Sequence, residues 1–220
     1  KIPTLINLGS SHEYGFQENK VSEKDKIEPI SFYSYCKSFL SNLSQVLKFQ
    51  SNKRIQIIHL RLFQIYGEGQ KKPRLFPYLI DSFLNNKAIL LESPGSRRDF
   101  LHIKDFTALL FLIINFKDKN QLELLNIGSG DTYTINKIFN KYNDLFNKKK
   151  YLRRKTQIKD YSILPDLSKL KKLIDWKPKI TMDEGIIRCL LYEKNKKIKN
   201  SKKLDFEKAS KISIIMNCYN

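Results

Sequence analysis

Apolar residues fall along the chain in short continuous runs and in longer segments of helical spacing, and the two kinds alternate. The short runs predict buried strands at 4–8, 55–60, 88–91 and 122–127. The longer segments predict helices at 32–47, 75–84, 106–116, 134–146 and 184–192. Asp105 and Thr181 are each in position to cap the helix that follows. Strands that alternate with helices favour an α/β fold built on a parallel sheet.

The segment 194–210 differs from the rest because lysine, asparagine and other polar residues dominate it. This composition predicts a charged linker or a solvated tail. An apolar run at 212–216 follows it. Because a hydrophobic strand needs neighbours to pair with, we interpret residues 211–220 as the first strand of a further domain that has been cut off. Its Ser213, Ile214 and Tyr219-Asn220 resemble the opening strand of family-2-type glycosyltransferases, which implies a truncated glycosyltransferase domain.

Charge restricts the partners that the chain can have. Lysine and arginine number 41 against 22 aspartate and glutamate residues, which gives a net charge of +19 and attracts polyanions and anionic small molecules. Most of the excess lies in 148–159 and 194–211, and neither segment carries a nucleic-acid recognition motif. A basic nucleic-acid-binding module is therefore less favoured than a protein that binds a nucleotide.

Three further features of the sequence argue against a membrane-spanning protein, a disulfide-rich protein and a metalloprotein. No apolar run approaches the about 18 residues that a membrane span needs. The three cysteines, Cys36, Cys189 and Cys218, lie far apart and without CxxC spacing. We therefore expect no disulfide framework and a reducing compartment, the cytoplasm. The three histidines are equally scattered, and no metal site is predicted.

Candidate chemistry begins with two polar patterns near the first predicted helix. Tyr33 and Lys37 are four residues apart on that helix, so the phenol and the ammonium share one face. A cation close to a phenol favours the phenolate, and such a tyrosine can exchange a proton with a substrate. Ser10 follows a predicted strand, where α/β sheets place their ligands. Its hydroxyl is expected to bond the oxygen that Tyr33 protonates.

A third pattern is Arg97-Arg98-Asp99, ahead of another predicted helix. An arginine there suits bidentate phosphate binding. Each pattern also has an ordinary structural interpretation. The spacing of Tyr33 and Lys37 could arise by chance. The serines within 9–15 could form an ordinary turn in which their hydroxyls bond backbone groups, and Arg98 and Asp99 could form an ion pair on the surface.

Taken together and in this order, the patterns resemble the extended short-chain dehydrogenase/reductase family, the NAD-dependent epimerases and dehydratases of nucleotide sugars. The resemblance covers residues 2–192 and rests on Ser10-Ser11 with Tyr14-Gly15, Pro29 with Tyr33 and Lys37, Leu60-Arg61 with Tyr66-Gly67, Arg98-Asp99-Phe100 with Asp105, Asn126-Ile127-Gly128-Ser129-Gly130, and Asp175-Trp176-Lys177-Pro178.

The resemblance implies catalytic and cofactor-binding roles for three residues. Tyr33 is the expected acid/base, Lys37 would bind the ribose of the nicotinamide and favour the phenolate, and Ser10 is the expected hydroxyl partner. The implied cofactor is NAD or NADP. It would accept a hydride from a sugar carbon while the phenolate removes the hydroxyl proton.

The resemblance also implies a set of substrate-binding residues. Arg98 and Arg74 would contact the nucleotide diphosphate, and Ser11 would lie beside the substrate. Gln64 stands where many members carry a substrate-contacting asparagine, which leaves that contact open.

Two departures from the family pattern restrict the reaction and the cofactor. Family 4,6-dehydratases carry an Asp-Glu pair after the active-site hydroxyl residue, where this chain has Ser11 and His12, so an epimerase or a keto-sugar reductase is favoured. The family's Gly-x-x-Gly-x-x-Gly fingerprint, which lets a pyrophosphate approach a helix N-terminus, does not occur in these residues. We therefore expect the latter two-thirds of such an enzyme, with weak or no NAD binding by these residues alone.

The predicted architecture is a partial Rossmann-type parallel sheet that lacks its first strands, with a small C-terminal α/β substrate domain. Residues 1–70 would close the dinucleotide-binding domain, and 71–193 would form the substrate-binding region interleaved with late Rossmann elements. The expected function is that of an NAD(P)-dependent epimerase or keto-sugar reductase, a homodimer that acts on a nucleotide-activated sugar. A non-catalytic nucleotide-sugar-binding remnant is the main alternative, and the sugar and the nucleotide base stay open.

Overall fold

A computed structural model describes residues 4–17, 19–51, 54–118, 123–147, 152–154 and 160–201. The strands are β1 (Thr4–Ser10), β2 (Lys20–Val21), β3 (Gln56–Leu62), β4 (Gln64–Tyr66), β5 (Ile89–Leu91), β6 (Arg97–His102), β7 (Leu124–Ile127), β8 (Thr132–Thr134), β9 (Leu152–Arg154) and β10 (Leu164–Pro165). The helices are α1 (Phe32–Gln50), α2 (Leu75–Leu84), α3 (Ile103–Asn115), α4 (Ile135–Phe146), α5 (Ser168–Leu173) and α6 (Met182–Ser201), and a 3₁₀ turn spans Ser11–Tyr14. The predicted α/β fold is confirmed.

Three parallel strands form the sheet that carries the candidate site, in the order β1-β3-β7. Helix α1 connects β1 to β3, as expected for parallel neighbours. Ser10 at the end of β1 is in register with Leu62, and Leu62 is in register with Ile127 at the end of β7. The carboxyl ends of all three strands therefore meet at one edge of the sheet.

Helix α1 packs on this sheet through a stripe of small side chains rather than through its large apolar ones. Ser34, Ser38, Ser41 and Ser44 are the buried residues of the helix, and they recur at the spacing of one helical face. Small side chains let the helix axis approach β1 and β3 closely. Ser31 caps the helix by accepting from the backbone N–H of Ser34 at 3.2 Å.

A second group of strands, which alternates with the first along the chain, has β6 between β4 and β8. Strand β4 is parallel to β6, and β8 is antiparallel to it. The sequence pattern did not predict β6, because its polar residues Arg97, Arg98 and Asp99 interrupt the apolar alternation typical of a strand.

The two larger of the three hydrophobic cores among the described residues support these sheets. One core fills the space between the parallel sheet, α3 and α5, and includes Ile58, Leu60 and Leu109. The other core joins α2, α4 and α6 and includes Phe76, Phe83 and other buried aromatic and aliphatic side chains. Among the described helices, none has both the length and the apolar character needed to cross a membrane.

Two predicted helix boundaries are wrong, and tertiary contacts explain the first. His102, not Asp105, caps α3, since its Nδ1 accepts from the N–H of Lys104 at 3.3 Å. Asp105 lies inside the first turn and accepts instead from the backbone N–H groups of Lys179 and Ile180, at 3.1 and 3.0 Å.

Helix α6 does not end at residue 192 as predicted but continues to Ser201, through the first part of the segment 194–210 expected to be a linker. The predicted cap of this helix is confirmed, because Thr181 Oγ accepts from the N–H of Glu184 at 3.3 Å. The rest of the expected linker and the expected strand at 211–220 lie outside the described residues.

Replacing Gly15 is expected to destabilise the fold more than replacing Gly69. Both residues have positive φ, at 71° and 83°, and an alanine is strained there. A Cβ on Gly15 would also lie 2.1 Å from the carbonyl oxygen of Glu28, whereas the nearest atom to a Cβ on Gly69 is 3.6 Å away. We expect losses of about 3 kcal/mol for Gly15→Ala and about 1 kcal/mol for Gly69→Ala in urea unfolding. Equal losses would contradict the role of this contact.

Candidate active site

The carboxyl end of β1 runs directly into the 3₁₀ turn that holds the candidate hydroxyl group. Ser10 caps this turn, and its Oγ accepts from the backbone N–H of His12 at 3.2 Å. Because the cap uses a lone pair of the oxygen, the hydroxyl proton of Ser10 remains available to a second acceptor. Ser11, the next residue, is buried in the turn.

Helix α1 places Tyr33 and Lys37 beside the same end of β1. The ammonium of Lys37 donates to the carbonyl oxygen of Leu8 at 2.9 Å. Its Nζ lies 5.8 Å from the centroid of the Tyr33 ring. The phenol is 41% exposed, so that a ligand at the sheet edge can reach it. The ammonium and the phenol therefore lie side by side at the end of β1, as the spacing predicted.

His12 links the turn to Tyr33 and to the two candidate phosphate-binding arginines. Its ring meets the Tyr33 ring edge to face, with centroids 6.1 Å apart. Burial lowers the pKa of His12 below its ordinary value, and the positive charges of Arg98 and Arg74 lower it further. His12 therefore contacts Tyr33 and lies within reach of the charges of both arginines. Sequence reasoning noted His12 only as a departure from the dehydratase pattern, because its ring contact exists only in the folded chain.

The guanidinium of Arg98 is held by a loop that follows β9. Its Nη1 donates to the carbonyl oxygens of Tyr161 at 2.6 Å and Arg97 at 2.8 Å, and its Cζ lies 4.2 Å from the centroid of the Tyr161 ring. Burial lowers the pKa of this guanidinium below its ordinary value. Within the described part of the chain, the other N–H groups of the fork make no hydrogen bond. They are thus free to bind an anion.

Asp99 does not pair with Arg98, so the ion-pair interpretation of these two residues is wrong. Its buried carboxylate accepts from the N–H of Ser129 at 2.6 Å and from the N–H of Gly130 at 2.7 Å. Adjacent residues of a strand point to opposite faces, which separates the two side chains. Burial raises the pKa of Asp99. The turn after β7 is therefore fastened to β6 by this carboxylate.

Of the two remaining predicted substrate-binding residues, Arg74 acts on His12 through its charge, whereas Gln64 has no described contact with the site. Arg74 is exposed at the start of α2, and its charge reaches His12. Gln64 begins β4 in register with Phe100. None of its described contacts reaches the Ser10 turn or Tyr33, so the structure does not tie Gln64 to the other predicted residues.

Beneath the turn lies a buried polar cluster that sequence reasoning missed. Glu13 is 0% exposed, His59 1% and Arg61 3%. Burial raises the pKa of Glu13, but the hydrogen bond from His59, the N–H of Ser10 and the charge of Arg61 outweigh it and leave the pKa lowered. The sequence signal that could have revealed this cluster is the presence of polar residues at alternate positions of β3, a strand otherwise rich in isoleucine and leucine.

Two known proteins are similar in sequence to this chain over most of its length. An uncharacterized UDP-glucose epimerase of Bacillus subtilis, YtcB, is 27% identical over 194 residues, which is 87% of this chain and 60% of that protein. The dTDP-4-dehydro-6-deoxyglucose reductase of Escherichia coli is 26% identical over 188 residues, 80% of this chain and 58% of that protein. This chain thus spans about three-fifths of the length of these relatives.

A solved structure has the same fold. The crystal structure of UDP-glucuronic acid 4-epimerase from Bacillus cereus in complex with NAD is 25% identical, with a TM-score of 0.79 over 87% of this chain and 61% of that one. The family model described as the NAD dependent epimerase/dehydratase family matches residues 1–128. Because the match covers more than half of the chain and includes the Ser10 turn, Tyr33, Lys37 and Arg98, the chain belongs to the NAD dependent epimerase/dehydratase family.

Proposed function

We propose that this chain is the substrate-binding and acid/base part of an NAD(P)-dependent epimerase or keto-sugar reductase for a nucleotide-activated sugar. The observation that carries the proposal is the placement of Tyr33, Lys37 and Ser10 at the end of β1. Arg98 and Arg74 supply positive charge beside them. A hydroxyl of the sugar at the phenol and a diphosphate at the arginines fit this arrangement of charges.

In this proposal Tyr33 takes the proton of a sugar hydroxyl as the adjoining carbon is oxidised, and it returns the proton on reduction. Ser10 donates its free hydroxyl proton to the same oxygen and so stabilises the negative charge that develops on it. Lys37 uses one proton on the Leu8 carbonyl. Its remaining two protons can hold the phenolate and a ribose hydroxyl.

The residues at the end of β1 fit the nicotinamide end of NAD. The donors are an ammonium with free protons and a partly exposed phenol, at an edge where parallel strands end. When bound, NAD supplies the acceptor for the hydride of the sugar carbon. The glycine fingerprint for the pyrophosphate does not occur in these 220 residues, so we expect weak or no NAD binding by this chain alone.

The residues of the turn favour epimerisation or reduction over dehydration, whereas the similar proteins include all three kinds of enzyme, among them a dTDP-glucose 4,6-dehydratase from Bacillus anthracis. The Bacillus cereus structure is that of a 4-epimerase, and the Escherichia coli relative is a reductase. In the turn, Ser11 and His12 replace the acidic pair of 4,6-dehydratases, and Glu13 is enclosed in the buried cluster. The turn therefore offers a sugar no carboxylate that could move the protons of a dehydration.

A homodimer through α1 remains part of this proposal. The outer face of the helix exposes large apolar side chains, which a partner would cover. They are Phe32, Tyr35, Phe39 and Val46.

Tyr33→Phe is expected to abolish turnover while sparing substrate binding, because the phenylalanine keeps the ring but not the ionisable hydroxyl. The assay uses the chain extended to the length of its relatives, with the dinucleotide-binding segment of one of them placed before Lys1. We expect a loss of kcat of about 100-fold or more, with UDP-glucose affinity within about 2-fold of wild type.

The matched control is Tyr192→Phe, since Tyr192 lies on α6, is 41% exposed like Tyr33 and belongs neither to the site nor to the proposed dimer face. Wild-type kcat is expected for this variant. Equal effects of the two substitutions would refute the assignment of Tyr33. An extended wild-type chain that binds UDP-glucose but shows no turnover would favour the non-catalytic remnant.

Arg98→Ala is expected to weaken binding of UDP by the 220-residue chain about 10-fold or more, because a half-buried guanidinium bonds a phosphate through charge-assisted hydrogen bonds. Arg97→Ala is the matched control, as Arg97 bonds Thr132 at 2.6 Å on the other face of β6. We expect the control to stay within about 2-fold of wild type in isothermal titration calorimetry. The phosphate-binding role is wrong if both variants bind UDP like wild type.

The affinity for UDP-glucose is expected to rise as the pH falls below the ordinary pKa of histidine. In the free chain, burial and the charges of Arg98 and Arg74 lower the pKa of His12. A diphosphate on these arginines offsets their charge and raises that pKa, so binding takes up a proton. Calorimetry between about pH 5 and 8 measures the effect. His12→Gln should remove it, and an unchanged pH dependence in this variant would contradict the assignment.

A further inference from the structure

The buried carboxylate of Glu13 is surrounded by hydrogen-bond donors. Its Oε1 accepts from the backbone N–H of Ser10 at 2.8 Å and lies 3.1 Å from Nε2 of His59. Its Oε2 accepts from Nε of Arg61 at 3.0 Å. A buried carboxylate persists only when its neighbours donate to it. Nε2 of His59 therefore carries a proton.

Contacts on the other side of the His59 ring fix its second nitrogen independently. The hydroxyl of Ser44 donates to the carbonyl oxygen of Leu40 at 2.7 Å, so toward Asn7 its Oγ acts as an acceptor. Nδ2 of Asn7 lies 3.3 Å from this Oγ and 2.9 Å from Nδ1 of His59. The amide group thus donates to both atoms, and Nδ1 accepts. This assignment follows from the hydrogen-bond network, and it makes His59 a neutral imidazole with its proton on Nε2.

The chain of hydrogen bonds continues from Arg61 across the sheet. Nη1 of Arg61 donates to Oη of Tyr14 at 2.9 Å, and this Oη donates to Oδ1 of Asn126 at 2.7 Å. Nδ2 of Asn126 then donates to the carbonyl oxygen of Val21 at 2.9 Å. Each bond has a defined direction. The chain of bonds runs from α1 through β1, β3 and the 3₁₀ turn to β7 and the end of β2.

The contact between His59 and Glu13 passes directly beneath Gly9, the residue before the catalytic candidate. A Cβ at this position would lie 2.3 Å from Nε2 of His59 and 2.5 Å from Oε1 of Glu13. The backbone at the end of β1 is thus pressed against the buried pair. The position of Ser10 depends on that pair through a direct hydrogen bond and through this packing.

We propose that Glu13 and His59 are positioning residues for Ser10, and that a neutral His59 protonated on Nε2 sets the direction of the bonds that join the Ser10 turn to α1. Because α1 carries Tyr33 and Lys37, the same bonds fix the serine hydroxyl relative to the phenol. The catalytic consequence rests on the proposed function. The protonation of His59 and the hydrogen bond of Ser10 do not.

Long-range ¹H–¹⁵N NMR of the 220-residue chain measures the His59 tautomer directly. We expect a protonated Nε2 and an unprotonated Nδ1 in the wild type. Amide hydrogen exchange measures the bond from Ser10 to Glu13. Glu13→Gln supplies only one acceptor oxygen. The charged guanidinium of Arg61 is the stronger donor and keeps that oxygen, so the NH₂ group faces the N–H of Ser10 and exchange at Ser10 should accelerate about 10-fold or more.

A compensating pair of substitutions tests the direction of the bonds rather than mere packing. In Asn7→Asp/Glu13→Gln, the new carboxylate accepts from Nδ1, and Nε2 then accepts from the new amide. The His59 proton should move to Nδ1, whereas exchange at Ser10 should stay fast, because the amide nitrogen that donates to Nε2 still faces the N–H of Ser10. Glu28→Gln, which alters an exposed carboxylate, is the control and should change neither measurement.

A wild-type His59 that is protonated on Nδ1 overturns the proposal, and this result needs no variant to fold. Unchanged exchange at Ser10 in Glu13→Gln, or a His59 proton that stays on Nε2 in the double variant, also overturns it. In the extended enzyme, Glu13→Gln should lower kcat about 10-fold or more with KM within about 2-fold. If the NMR results hold while the extended wild type shows no turnover, the proposed function fails and the positioning of Ser10 stands.

Discussion

One hydrogen bond, from the ammonium of Lys37 to the carbonyl oxygen of Leu8, joins helix α1 to the end of β1. Together with the hydrogen bond between Asn7 and Ser44, it fixes the rotation of a helix that packs on the sheet through small serine side chains, since serines interlock less than large side chains do. The bond sets the face on which Tyr33 lies. It also brings the ammonium beside the phenol, so one contact serves the packing of the helix and the chemistry proposed for the site.

The sheet contributes the second constraint, which is the meeting of three strand ends at one edge. The Ser10 turn follows β1, and the Ser129–Gly130 turn follows β7 and is fastened to β6 through Asp99. Strand β6 in turn carries Arg98. Polar groups from distant parts of the sequence therefore converge because parallel strands end together, which is the usual location of ligands in such sheets. Buried hydrogen bonds then hold each turn in place.

Local patterns predicted much of this arrangement. Continuous apolar runs gave β1, β3 and β7, and the spacing of Tyr33 and Lys37 placed both on one helix face. Strand β6 escaped prediction because its inward-facing polar residue, Asp99, is satisfied by a turn about thirty residues away along the chain. The cap of α3 was misassigned because Asp105 bonds a distant backbone segment. Such long-range partners leave no local signal.

The buried cluster shows the same limit at the candidate site. In the sequence, His59 is one of three scattered histidines, and no local pattern marks Glu13 as buried. Their common role depends on Asn7 and Arg61, which reach them only when β1 and β3 lie side by side. A sequence can reveal the residue types of such a network, but the direction of each hydrogen bond needs the folded geometry.

The most direct test of the account is a crystal structure of the chain with UDP-glucose bound. The account predicts a sugar hydroxyl within hydrogen-bond distance of both Tyr33 Oη and Ser10 Oγ, with the diphosphate on Arg98 and Arg74. A sugar that binds elsewhere, or a diphosphate that leaves both arginines without an anion, would contradict the account.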